Sequence, residues 1–212
     1  MESVGGKAVA VVGELGSVEA CRGIVRDAAE ALERLDVLVN CAATNRRKPI
    51  AEVTEEDYGV ISAINSKAVY FLSQAARVYM KEQGGGKIIH LGSVNSFYAL
   101  DTVSVYGLTK SAVAQAARAM AVEWAPDNIQ VNCIAPGFMM TPLSKPLWDD
   151  PTKGQWLLSR IPLRRPGLPQ ELVGMTLLLA ADASSYLTGQ TMVVDGGFDA
   201  GGSWVRDPDH AD

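Results

Sequence analysis

Tyr106 and Lys110 stand four residues apart in the run Val105-Tyr-Gly-Leu-Thr-Lys-Ser-Ala, and Ser93 lies thirteen residues upstream at the end of an apolar run. On a helix the i, i+4 spacing puts phenol and ammonium on one face. A cation there favours the phenolate and brings proton transfer by Tyr106 toward neutral pH. Such residues do acid–base chemistry on a carbonyl or alcohol oxygen. Taken alone, a Tyr and a Lys at this spacing also suit an exposed helix face, and a serine after a strand also suits a turn. The other side chains with catalytic potential point elsewhere. His90 sits inside an apolar strand pattern, three residues before Ser93, and is expected as a core histidine on the opposite face. Cys21, Cys41 and Cys133 are odd in number, widely spaced and set in apolar segments, which predicts reduced core thiols rather than a disulfide framework. With only two histidines, no metal-ligand spacing exists, so no metal site is expected.

The elements that position these residues follow from apolar periodicity. Lys7–Gly13, Asp36–Asn40, Lys87–Leu91, Asn128–Ile134 and Thr191–Val194 read as short strands buried on both faces. Between them, helical spacing runs from Ser17 to Leu32, from Tyr58 to Tyr79 behind the cap signal Thr54-Glu-Glu-Asp, and from Ser104 to Ala125. Residues 138–166, rich in Pro, Trp and Met, predict one or two short helices over a cleft, walled by Phe138, Met139, Trp148 and Trp156; Pro169 opens a further helix to about Ala181. Strands alternating with helices predict an α/β, Rossmann-like parallel sheet with helices on both faces, and ligands outside the strand carboxyl ends. Residues 1–197 are expected to form one such domain, followed by a Gly- and Asp-rich tail, residues 198–212, either partly disordered or lying on a neighbouring subunit.

Composition narrows the partners. The chain has 212 residues, 48% hydrophobic and 20% charged, enough for one domain with a core. Nineteen basic against 24 acidic side chains leave a net charge of −5, with no electrostatic footprint for nucleic acid or an anionic membrane. No apolar run approaches the roughly 20 residues of a spanning helix, and no signal stretch is evident. A small-molecule substrate and a cytoplasmic location are the expectations.

In identity and spacing, Ser93, Tyr106 and Lys110 match Ser…Tyr-x-x-x-Lys, Asn65 in Ala-Ile-Asn-Ser-Lys fits a helical asparagine, Asn40-Cys-Ala-Ala is similar to Asn-Asn-Ala-Gly, and Val194-Asp-Gly-Gly matches a last strand. By these motifs the chain resembles the short-chain dehydrogenase/reductase family from about Lys7 to Gly197. The segments around Arg46-Arg-Lys-Pro and from Thr141 to Gly167 look most like gluconate, sugar-acid or polyol dehydrogenases. The resemblance implies hydride exchange between NAD or NADP and a hydroxy or keto substrate. It implies that Tyr106 transfers the proton, Ser93 holds the substrate oxygen, and Lys110 lowers the phenol pKa and bonds the nicotinamide ribose. Asn65 would hold a water leading from Lys110 to solvent. Asn40, Ala42, Pro136, Gly137 and Thr141 are implied at the cofactor, and Arg46, Asn95 and Phe138 at the substrate. Arg46 and Arg47 are otherwise solvated loop cations that could also bind a substrate carboxylate. The Ser104 helix and its predecessor, Glu55–Gln83, are implied to pair in a homodimer or homotetramer.

The family's first strand, glycine-rich phosphate turn and second strand have no counterpart before Lys7, so the sheet is read as N-terminally truncated, with the first two strands missing. In the family's strand order, 3-2-1-4-5-6-7, those two strands separate Lys7–Gly13 from Asp36–Asn40. A strand left unpaired in a buried sheet loses about 1–3 kcal/mol per orphaned group. Lys7–Gly13 is therefore expected to move into the first-strand place, with main-chain hydrogen bonds from Val9–Val12 to Val37–Val39; alternatively, another subunit supplies that edge. Two further readings stay open: a cofactor-independent isomerase, dehydratase or lyase using the same Ser-Tyr-Lys set, and a catalytically silent binding or partner subunit.

Overall fold

The computed structural model describes residues 5–202. A first helix, α1 (Val18–Leu32), is capped by the Ser17 hydroxyl, which accepts the Ala20 N–H at 3.1 Å, and buries the stripe Cys21, Val25, Ala29. It leads into β1 (Val37–Asn40). Next comes a long helical stretch in three parts: α2 (Glu55–Ser62), a π-helical turn (Ala63–Ala68) and α3 (Val69–Glu82). The helix expected over Tyr58–Tyr79 is thus present but interrupted at the turn that carries Asn65. Then follow β2 (Gly86–Leu91), α4 (Ser104–Trp124) and β3 (Ile129–Pro136). The remainder is α5 (Lys145–Asp149), α6 (Pro151–Arg160), α7 (Val173–Ala180) behind a 3-10 turn at Pro169–Leu172, and β4 (Thr191–Val194).

The four strands form one parallel sheet in the order β1-β2-β3-β4, as alternating strands and helices require. Its middle is made of continuous apolar runs: Ile88, Ile89, Ile129, Val131, Cys133 and Ile134 are all at most 1% exposed. Alanines let α4 lie close on β3, with Ala114, Ala117 and Ala121 buried in the main core beside Met80, Ile88 and Val131. At the start of β2, Gly85 (φ 150°) is required, because a Cβ there would stand 2.6 Å from the Asn128 amide. At the carboxyl ends of β2 and β3, Phe198 is buried with Val94, Leu157 and Ile161, and Phe138, Tyr98 and Trp148 pack around them. The domain limit expected at residue 197 therefore falls inside a core cluster. Most of the expected tail, residues 203–212, lies outside the described residues.

Lys7–Gly13 is not a strand. It is coil, Val12 is 97% exposed, and among the described residues no main-chain hydrogen bond joins Val9–Val12 to Val37–Val39. The expected re-pairing within the chain is thus incorrect. The segment is held along α1 instead: the Lys7 ammonium donates to the Ala31 carbonyl at 2.8 Å, and Gly13 sits so close that a Cβ would be 2.6 Å from Ile24. A single extended segment with no neighbour has no ladder to stabilise it, and its main chain stays with water. Beside β1 this leaves a groove of about 300 Å³, lined by apolar side chains of α1, β1 and α3.

Candidate active site

β2 delivers its chain end to Gly92 and Ser93, and α4 begins eleven residues later and brings Tyr106 and Lys110 to that end. Gly92 donates to the Ile134 carbonyl at 2.7 Å, and a Cβ there would meet the Cys133 sulfur at 2.7 Å, so glycine lets β2 and β3 close tightly beneath the site. The Ser93 hydroxyl accepts the Asn95 N–H at 3.1 Å and faces the Tyr106 phenol, whose anion it stabilises. The Lys110 ammonium lies 5.6 Å from the centre of the Tyr106 ring and donates to the Leu91 carbonyl at 2.6 Å. Hydroxyl, phenol and ammonium therefore converge at the carboxyl end of β2, as their spacing predicts.

Their electrostatics differ from the expectation. Burial pushes the Tyr106 phenol up; the influences drawing it down are the Ser93 hydroxyl and the charge of Arg47. Lys110 is not among them. Its own pKa falls to about 8 because it is buried, and no carboxylate of the described residues accompanies it. A buried ammonium with a single carbonyl partner keeps two donors for a ligand.

Asn65 is fully buried, and its amide grips the coil after β1 at two points: Oδ1 accepts the Thr44 N–H at 2.8 Å, and Nδ2 donates to the Thr44 carbonyl at 2.9 Å. Nδ2 also donates to the Thr109 hydroxyl at 3.2 Å, tying that coil to α4. Both amide protons are committed, so the side chain clamps this coil to α4. Thr44 and Thr109 were missed by sequence reasoning, and neither carried a signal.

Arg46, expected at the substrate, is engaged within the chain. Its guanidinium bonds Glu56 at 2.9 Å and Asp57 at 3.1 Å, which engages it with carboxylates of this chain. Lys48 reaches the same Asp57 at 2.6 Å, and these bonds, with the Thr54 cap, hold the Asp57 carboxyl well below the usual carboxylate range. The Lys48 N–H donates to the Thr102 carbonyl at 2.9 Å, laying the coil against the approach to α4. Arg47, between Arg46 and Lys48, is exposed, and its charge is felt at Tyr106.

At the expected cofactor positions, Asn40 is turned inward: Nδ2 lies 3.1 Å from both the Ser73 hydroxyl and His90 Nδ1, stitching β1 to α3 and β2. Pro136 pairs with Val194, and the Gly137 N–H donates to the Val194 carbonyl at 2.9 Å; Thr141 is engaged with Ser144 at 3.0 Å. Ala42 is exposed after β1, and so is Cys41, which corrects its expected burial: it stands past the strand end, in coil beside the groove. Asn95 neighbours Ser93 and donates to the Tyr98 carbonyl at 3.0 Å. Phe138 packs edge-on against Phe198, 5.0 Å between centroids, and Trp148 lies in the same cluster; Trp156 is 40% exposed. His90 is fully buried, and burial together with Lys110 brings its pKa to about 4, keeping it neutral. Among the described residues no group of His, Cys, Asp and Glu could hold a metal ion, and no helix is long and apolar enough to cross a membrane.

A parallel α/β sheet with serine, tyrosine and lysine meeting at one strand end defines a class, and comparison with known proteins gives it a name. The chain belongs to the short-chain dehydrogenase/reductase family: the family model described as enoyl-(acyl carrier protein) reductase matches residues 1–199. It is 41% identical over 169 residues to a tropinone reductase homolog of Arabidopsis thaliana, covering 80% of this chain and 65% of that protein. It is 38% identical over 197 residues to the 2-dehydro-3-deoxy-D-gluconate 5-dehydrogenase of Dickeya dadantii, covering 92% of this chain and 78% of that one. Among solved structures, the gluconate 5-dehydrogenase of Burkholderia cenocepacia in complex with NADP and tartrate superposes with a TM-score of 0.85 at 34% identity, over 88% of this chain and 73% of that one. The chain thus spans about two thirds of the length of the first of these curated relatives and about four fifths of the second.

Proposed function

We propose that this chain carries the catalytic centre of an oxidoreductase that exchanges hydride between NAD or NADP and a hydroxyl or keto group of a sugar acid or polyol. The observation that carries the reading is the convergence of Ser93, Tyr106 and an acid-free, buried Lys110 at the end of β2. The residues fit the nicotinamide end of a dinucleotide: the free donors of Lys110 suit a ribose diol, and exposed Ala42 stands near the same strand ends. The bound nicotinamide would supply the hydride chemistry. Ser93 holds the substrate oxygen, and Tyr106 takes the alcohol proton in oxidation or returns it in reduction. The Ser93 hydroxyl and the charge of Arg47 favour the phenolate while Tyr106 is ionised. For the pyrophosphate and adenosine the described residues build no equivalent set, since Gly5–Gly16 is coil along α1.

Arg47 supports an acidic substrate. Among the described residues it has no hydrogen-bond or ion-pair partner, its charge is felt at Tyr106, and it can take a carboxylate in bidentate fashion. The relatives named for gluconate derivatives agree with that substrate class. A cytoplasmic enzyme fits the three unpaired cysteines. Tyr70 and Val78 on α3 and Leu108 and Val122 on α4 are exposed and apolar, which supports a homodimer or homotetramer through those helices.

The test is nicotinamide absorbance with sugar acids and matching neutral polyols. Tyr106→Phe is expected to lower kcat by about 10²–10⁴ with the fold intact by circular dichroism. Arg47→Gln is expected to raise KM at least about tenfold for the acids while leaving KM for the polyols unchanged. Turnover that needs no added nucleotide yet still needs Tyr106 would identify a cofactor-independent proton-transfer enzyme instead; full activity in Tyr106→Phe would refute the site.

A further inference from the structure

We propose that Ser96 and Ser111 are positioning residues of this centre: two side-chain hydrogen bonds in opposite directions staple the turn that presents Ser93 to the part of α4 that presents Tyr106 and Lys110, and so set the approach of the serine hydroxyl to the phenol. The proposal rests on the reading of Ser93, Tyr106 and Lys110 as the reacting set and adds what holds them together. Ser93 opens a 3-10 turn, Val94–Ser96. The Ser96 hydroxyl donates to the Lys110 carbonyl at 2.8 Å, and the Ser111 hydroxyl donates back to the Ser96 carbonyl at 3.0 Å. Turn and helix are thus joined at the residue that carries the ammonium and at the one after it. Two glycines make room for the pair. At Gly107, next to Tyr106 on α4, a Cβ would press on the Asn95 carbonyl at 3.3 Å, and at Gly92 one would stand 3.3 Å from the Ser96 hydroxyl.

Each serine has a plainer role that this arrangement exceeds. A helical serine commonly donates to the carbonyl one turn back, and Ser111 does reach Gly107 at 3.0 Å; its hydroxyl lies at the same distance from the Ser96 carbonyl on the neighbouring turn. A serine ending a turn normally meets water, whereas Ser96 directs its one proton to a mid-helix carbonyl 14 positions further along the chain. That carbonyl already has a helical N–H partner, so the bond from Ser96 is not needed for the helix. Its effect is on geometry. Within the turn, the Asn95 N–H donates to the Ser93 hydroxyl at 3.1 Å and the Ser96 N–H to the Ser93 carbonyl at 2.9 Å, so a shift of Ser96 passes directly to Ser93. On the other side of Ser93, Lys110 holds the Leu91 carbonyl at 2.6 Å, and the two attachments to α4 bracket the serine. Reaction between groups carried by two separate elements depends steeply on their separation, and a misplacement of about 1 Å can cost about 100-fold in rate.

The experiment compares Ser96→Ala, Ser111→Ala and Ser111→Thr in the full chain by amide exchange, thermal melts and steady-state kinetics with a nicotinamide nucleotide and a sugar acid. In both alanine variants the amides of Asn95 and Ser96 are expected to exchange at least about tenfold faster than in wild type. Melting should stay close to wild type, because water reaches the groups left behind and alanine favours a helix at the exposed position 111. In both, kcat is expected to fall at least about tenfold, with the nucleotide KM within about twofold of wild type. The pH at which oxidation reaches half its maximal rate should move up, because Ser93 is one of the influences that draw the Tyr106 phenol down, while its burial, the charge of Arg47 and the adjacent Lys110 stay in place. A loss of folded enzyme alone moves no pH profile. Ser111→Thr keeps the hydroxyl and is expected to match wild type in exchange, kcat and pH profile. In a Ser93→Ala background, Ser96→Ala should add no further loss of kcat. Unchanged exchange in both alanine variants, or faster exchange with kcat and pH profile unchanged, would overturn the proposal. Absence of nicotinamide-linked turnover in wild type would sink the reading of the chemistry instead, and the exchange rates would then decide the staple alone.

Discussion

Lys110 is the most consequential residue because it is a cation kept where water is scarce. Its pKa near 8 means that the folded chain releases this proton well before the unfolded chain, whose lysine holds it to about 10.5. Between those values the unfolded state binds more protons, so this residue's contribution to stability rises with pH across that window; below it, the buried charge is a standing cost. Lys110→Met is therefore expected to unfold at higher denaturant than wild type near pH 7. The gap should narrow by about pH 10, and oxidoreductase activity should be lost at both. Paired denaturant titrations with activity assays check this, and a variant less stable than wild type at neutral pH would show that the Leu91 hydrogen bond outweighs burial. Arg46 and Arg47 teach the same lesson about context. They are adjacent and chemically identical, yet Asp57 takes the first, while the charge of the second is felt at Tyr106.

At the scale of elements, the π-helical turn between α2 and α3 aims Asn65 inward, and its three hydrogen bonds join the coil after β1, the helical stretch and α4 into one unit. Asn65→Ala would leave the Thr44 N–H and carbonyl without these partners in a confined space, at a cost on the order of 2–3 kcal/mol. Thermal melts should show the loss. Kinetics should show a raised KM as the coil bearing Ala42 and Arg47 loosens, whereas an unchanged KM would mean that the clamp serves stability alone. The site helix itself was readable: Tyr106 and Lys110 needed only helical spacing. The clamp was not, since Thr44, Asn65 and Thr109 are far apart in the chain and no local pattern joins them.

For the molecule as a whole, the described residues form a well-packed centre with a groove on one flank. The centre includes the chain beyond β4. Phe198, 2% exposed, meets Tyr98, Phe138 and Trp156 edge-on at 5.1, 5.0 and 6.3 Å, and so fastens α6 over the carboxyl end of the sheet. Phe198→Ala is expected to cost about 3–5 kcal/mol and to expose Trp156 further. Denaturant unfolding and tryptophan fluorescence check this, and a change below about 1 kcal/mol would show that α6 is held without Phe198. The flank is the groove beside β1, where Lys7–Gly13 carries the apolar pattern of a strand and yet stays coil.

By itself the sequence determined what depends on short range: the helices, the four paired strands, the Ser-Tyr-Lys spacing and the family they point to. Apolar periodicity and residue type act over a few positions, and local backbone geometry translates them directly. Tertiary structure alone decided which of two arginines acts on the phenol, what Asn65 holds, that burial rather than Lys110 dominates the phenol pKa, and that Lys7–Gly13 has no strand partner among the described residues. Each of these is a question of which groups from distant segments meet, and of how much water remains between them. A β-strand above all exists only when a neighbour supplies the other half of its hydrogen bonds.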